Sequence, residues 1–127
     1  MKNLGKYFFY KIFISSIIFA QDFNDIDQEI INFNFQEAKF KLEKFENNKH
    51  NIEILTRLSI VHHFLSESAE NKFSEQKNAN KALEYINDAY AIDPKNPKVL
   101  KWYIIALGKT VEKKSIRKQI EESKNIE

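Results

Sequence analysis

From Phe23 onward, apolar residues recur every three or four positions, the spacing that puts them on one face of a helix. Residues 22–32 form the first predicted helix, with Phe23, Ile26 and Ile30 on one stripe. "NFNF" at 32–35 breaks it. Asn34 is suited to cap the next helix, and Glu37, three residues on, completes a capping box. That second helix, 35–47, carries Ala38, Leu42 and Phe45, and "ENNKHN" at 46–51 is a polar turn. A third helix from Ile52 to about Ser68 carries Ile54, Leu55, Leu58, Val61 and Leu65. The polar stretch 67–80 reads either as a loop or as an extension of the helices beside it. A fourth helix, 78–92, carries Ala82, Ile86 and Ala89. It stops at Asp93-Pro94, because proline disfavours helical geometry in the residue before it. Asn96 then caps a fifth helix, with Pro97 at its first position and Gly108 as its C-terminal cap. A sixth, 115–126, carries Ile116, Ile120 and Ile126. An isolated helix of about 12 residues is marginal in water, so these stripes must pack on one another.

The alanine spacing adds a repeat. Ala82, Ile86, Ala89 and Pro94 fit the second half of a tetratricopeptide unit, where small residues let two helices approach and a proline ends the unit. Ala38, Leu42 and Phe45 repeat that spacing 44 residues earlier. The standard repeat is about 34 residues, and 67–80 accommodates the excess. The plainer alternative is a generic alanine-spaced helix pair. The expected fold class is all-α: a tetratricopeptide-like stack of about three helical hairpins, a short α-solenoid. The domain spans 22–127, in units of about 22–48, 52–92 and 96–126.

Composition supports helices and narrows the chemistry. The 127 residues suffice for one small domain. Two glycines and two prolines are too few for the turns of an all-β fold. The absence of cysteine excludes disulfides, thiol catalysis and cysteine-based zinc sites. Lys2, Lys6 and Lys11 account for the net charge of +2, and the rest is about neutral, so nucleic acid is not an expected partner. Those lysines precede an apolar run, Ile12 to Phe19, then Ala20 and the polar Gln21-Asp22. The layout is that of a secretory signal over residues 1–20. An uncleaved membrane anchor is the second reading, a mitochondrial presequence the third and a first core helix the fourth. The membrane is an expected partner only through this segment.

No phosphate-cradling or nucleophile-elbow glycine motif occurs. His62 and His63 are adjacent, about 100° apart on a helix, and cannot share a zinc face. The expectation is one histidine against the core edge and the other in solvent. Glu67, Glu70 and Glu75 read as a solvated face, and a hydrolase using surface carboxylates is the remote alternative. No catalytic, cofactor or metal residue is assigned. The basic run Lys109, Lys113, Lys114, Arg117 and Lys118 is diluted by Glu112, Glu121 and Glu122, and reads first as a solvated face. Tyr103 joins Leu100 and Leu107 on the core stripe, while Trp102 lies to one side and is expected against a neighbouring helix. Arg57 and Lys101 occupy corresponding places in two successive first helices, which line the concave surface of such arrays. With Trp102 they are the candidate partner-binding residues.

Arg57-Leu58, Ala82, Ala89, Asp93-Pro94 and Lys101-Trp102-Tyr103 followed by Gly108 carry a narrower resemblance. Over about 22–127 the chain resembles the regulator of microtubule dynamics family, divergent tetratricopeptide-repeat proteins of animals with bacterial relatives. It departs at Thr56, where the family commonly has an aromatic residue, and at Glu127, where the family's last helix normally continues. The expected function is a non-enzymatic protein–protein interaction scaffold, exported or anchored by its N-terminus, taking a protein or peptide in its concave groove. The resemblance implies an alternative: a microtubule-associated or organelle-tethering protein, cytoplasmic or mitochondrial, with tubulin as partner.

Overall fold

The computed structural model describes residues 23–45 and 50–125, apart from the side chains of 113–116 and 124–125. The leader expected at 1–20 lies outside the described residues. So do Ile126 and the side chains of Lys113, Lys114 and Ile116.

Five helices are described: α1 (23–31), α2 (Phe35–Glu43), α3 (Ile52–Glu67), α4 (Lys72–Ile92) and α5 (Pro97–Asn125). Among the described residues there is no strand, so the all-α class is as expected. The chain divides into two compact units between Asn34 and Phe35. In the first unit, α1 ends in a Schellman motif. The Asn34 N–H donates to the Glu29 carbonyl at 2.8 Å and the Phe33 N–H to the Ile30 carbonyl at 3.1 Å. Phe33 takes the left-handed conformation this turn requires, with φ 63°.

In the second unit α3 is the central helix, packed against α2, α4 and α5. Every residue from Ile54 to His62 is buried, as expected of a helix enclosed on several sides rather than along one stripe. Its buried hydroxyls are satisfied in two ways. Thr56 Oγ1 donates back to the Ile52 carbonyl at 2.6 Å. Ser59 Oγ donates across to the Ala82 carbonyl at 2.8 Å and Ser66 Oγ to the Glu75 carbonyl at 2.7 Å, tying α3 to the backbone of α4. Ala79, Ala82, Ile86 and Ala89 form the buried side of α4. Ile86 and Ala89 join Leu55 of α3 and Val99 and Ala106 of α5 in one core cluster.

Three helix limits differ from the sequence reading. α2 ends at Glu43 rather than 47, so Phe45 lies beyond it. α4 begins at Lys72 and takes in most of the polar stretch, because Asn71 caps it: Asn71 Oδ1 accepts the Ser74 N–H at 2.8 Å. The fifth and sixth predicted helices are one helix of 29 residues, about 43 Å long. Gly108 does not end α5; it lies in the interior with open space where a side chain would stand. An interior glycine costs about 0.5–1 kcal/mol relative to alanine. Gly108→Ala is therefore expected to raise stability by about that amount, read by denaturant unfolding. Destabilisation would show that α5 breaks there in solution.

Candidate functional site

Asn96 starts α5. Its Oδ1 accepts the Lys98 and Val99 N–H groups at 3.0 and 3.3 Å, and Pro97 follows in the first position. This start sets the rotation of Lys101, Trp102 and Tyr103, one turn further on. Tyr103 stacks on Tyr90 of α4, ring centroids 5.0 Å apart. Trp102 turns to α3, edge-on to His63 at 5.8 Å and to Phe64 at 6.1 Å. Phe64 also stacks on Phe35 of α2 at 5.0 Å. Rings from α2, α3 and α5 thus meet in one aromatic row, with Trp102 half-buried in it.

Of the three candidate residues, the structure brings Lys101 and Trp102 together. Lys101 is exposed and its Nζ lies 5.7 Å from the Trp102 ring, within cation–π range. Arg57 is placed differently. Its side chain is only 10% exposed, and its Nη1 donates to Glu53 Oε2 at 2.6 Å and to the Glu53 carbonyl at 3.2 Å. Glu53 lies one turn earlier on the same helix, so the guanidinium is held along α3 rather than extended from it.

The basic run is also partly engaged. Lys109 pairs with Glu67 of α3, and Arg117 Nη2 donates to Gln76 Oε1 of α4 at 2.6 Å. Of the adjacent histidines, one packs inward as expected, but the other is not in solvent. His62 is 4% exposed, and the His63 side chain 15%. His62 stacks on Tyr85 of α4 at 5.4 Å and holds Asn78 Oδ1 at 2.9 Å from its Nδ1. Loss of solvent depresses the pKa of both rings below the ordinary 6.5. For His62 the Asn78 bond opposes the shift and Lys39 adds to it; for His63 Lys109 adds and Glu67 opposes.

A second feature had no clear signal in the sequence. An open cleft of about 610 Å³ lies over α4, with Leu55, Tyr85 and Ile92 as apolar lining and Lys81, Glu84 and Asp88 as charged lining. Its charges sit three or four residues apart on α4, which an ordinary solvated helix face also shows. Among the described residues no Asp or Glu is buried, and no cluster of His, Cys, Asp and Glu has the geometry to hold a metal ion. Among the described residues, too, no helix is long and apolar enough to cross a membrane.

The family model described as Regulator of microtubule dynamics protein 1-3 matches residues 23–127. The chain belongs to that family. The match takes in all five described helices, and with them the aromatic row and the Lys101–Trp102 pair. No curated protein and no solved structure matches the chain.

Proposed function

We propose that this member of the regulator of microtubule dynamics family is a non-enzymatic, protein-binding scaffold of the tetratricopeptide type. The observation that carries the reading is the direct packing of α3 on α5, made in part by Trp102 against His63 and Phe64. In a tetratricopeptide array, successive first helices lie side by side and build the face that receives a peptide or helix. In this reading α3 and α5 take those places, and Lys101, which is exposed, stands beside the ring that joins them. Trp102 positions the face, Lys101 contacts the partner, and Arg57 stiffens α3 through Glu53.

The test is a photo-crosslinking residue at position 101 in cells, followed by binding of the captured protein to purified variants. Lys101→Glu is expected to weaken that binding several-fold while leaving the melting temperature unchanged. Full affinity in Lys101→Glu would overturn the reading. The proposed setting is exported or membrane-tethered, and sequencing the mature N-terminus checks it. A start at Gln21 or Asp22 in an exported fraction supports export. An intact Met1 in a membrane fraction supports an anchor.

Family membership favours a second reading, a microtubule-associated or organelle-tethering role. Acidic tails of tubulin would then meet exposed lysines of α5. Lys109 and Arg117 already engage α3 and α4, which leaves the basic run a weaker docking element than its sequence suggests. Salt-sensitive co-sedimentation with microtubules supports this reading, and no binding at low salt removes it.

A further inference from the structure

His62 and His63, neighbours on the central helix, face two different seams. His62 lies against α4, through Tyr85 and Asn78. His63 lies against α5, through Trp102. Asn78 Nδ2 donates to the Ser74 carbonyl at 2.9 Å, which turns its Oδ1 toward the His62 ring. The ring therefore donates from Nδ1 and keeps its lone pair on Nε2. That Nε2 is shielded and, among the described residues, meets no hydrogen-bond partner. In His63 the shielded nitrogen without such a partner is Nδ1, while Nε2 lies 3.9 Å from Glu67 Oε1.

A proton added to the His62 ring lands on an enclosed nitrogen with no acceptor beside it; in His63 the enclosed Nδ1 has none either, while Nε2 faces Glu67 across 3.9 Å. Burying a charge without a partner is costly, and the cost disappears when the seam opens and water reaches the ring. The surrounding charges do not remove this penalty. Around His62 stand Lys39 and Glu43 of α2 and Lys81 of α4, beside the phenol of Tyr85. Around His63 stand Glu67 of α3 and Lys109 of α5. The cations oppose ring protonation and the two carboxylates favour it, but loss of solvent outweighs both.

We propose that α3 is an acid-sensitive hinge: as pH falls, proton uptake by His62 and His63 loosens its seams with α4 and α5. The sign follows from the direction of the shifts. The closed form binds these protons less readily than the open form, so the closed form is fully favoured above about pH 6.5. It loses ground as pH falls below that value, until the closed-state rings also protonate. Each histidine changes the open-to-closed ratio by up to about tenfold per pH unit in that window.

Hydrogen exchange on the full chain at pH 7.5 and 5.5, corrected for the intrinsic rate, tests the hinge. In the unsubstituted protein, amides of 72–85 and 102–110 are expected to lose protection at the lower pH. In His62→Gln/His63→Gln they should keep it. Equal loss in both proteins, or none in the unsubstituted one, would overturn the proposal. If the double variant does not fold, the imidazole protons of the unsubstituted protein decide by nuclear magnetic resonance. Titration of both rings below 6.5 supports the hinge, and titration at or above 6.5 rejects it.

Discussion

Ile86→Ala should lower the unfolding free energy by about 2–5 kcal/mol, the range for removing a fully buried large aliphatic side chain. Ile86 is 0% exposed and sits where three helices meet, among Leu55 of α3, Ala89 of α4, and Val99 and Ala106 of α5. Two of those neighbours are alanines, too short to move into the space the side chain leaves. The cavity therefore persists and its surroundings lose their packing contacts. Against a total stability of typically 5–15 kcal/mol, the loss is a large fraction. Ile92→Ala is the control, because Ile92 lies on the same helix but is 48% exposed; it should change stability by about 0.5 kcal/mol or less. Denaturant unfolding of both variants checks the pair. A loss below about 1 kcal/mol for Ile86→Ala would mean that the three-helix junction is not formed in solution.

The α4 side of the junction was legible because its residues obey one local rule; on α5 the stripe was misplaced, since Val99 and Ala106 are buried while Leu107 of the expected stripe is 40% exposed. Ala82, Ile86 and Ala89 recur at helical spacing, and all three are at most 1% exposed. Ala38 and Leu42 repeat the rule in α2 and are fully buried. Asp93-Pro94 and Asn96-Pro97 mark where α4 ends and α5 begins, since proline geometry and the asparagine cap act over a few residues. What the sequence hid depends on neighbours instead. Residues 72–81 show no apolar stripe, yet they are helical, because Asn71 caps them and Asn78 is taken up by His62 across the seam. Gly108 reads as a stop, but its cost of about 1 kcal/mol is small against a helix that good helix formers continue.

The candidate site divides in the same way. Trp102's position beside the core stripe correctly suggested packing against a neighbouring helix, and α3 is that neighbour. Its partners could not be named, since His63 and Phe64 face α5 only through the way α3 is enclosed. The same enclosure covers Arg57 and both histidines. An all-round buried helix gives no stripe from which to tell an inward from an outward side chain.

The seam between α3 and α4 offers the sharpest test of the alanine rule. Ala82→Leu is expected to destabilise the protein by about 1–3 kcal/mol through overpacking alone. Ala82 is 1% exposed, and Ser59 reaches its carbonyl at 2.8 Å, so the two backbones lie too close for a longer side chain. Pushing α4 outward also strains the Ser66–Glu75 and His62–Asn78 bonds that cross the same seam. A buried hydroxyl left without its acceptor adds about 1–3 kcal/mol where Ser59 detaches. Two companion variants separate this mechanism from a general intolerance of leucine. Ala91→Leu, at an exposed position of the same helix, should stay within about 0.5 kcal/mol of the unsubstituted protein. Ser59→Gly in the Ala82→Leu background removes both the crowding side chain and the hydroxyl that would be stranded. The double variant should therefore be more stable than the sum of the single changes by about 0.5–3 kcal/mol, the range for residues in direct contact. Simple additivity in that cycle would show that close approach of α3 and α4 is not what requires alanine at position 82.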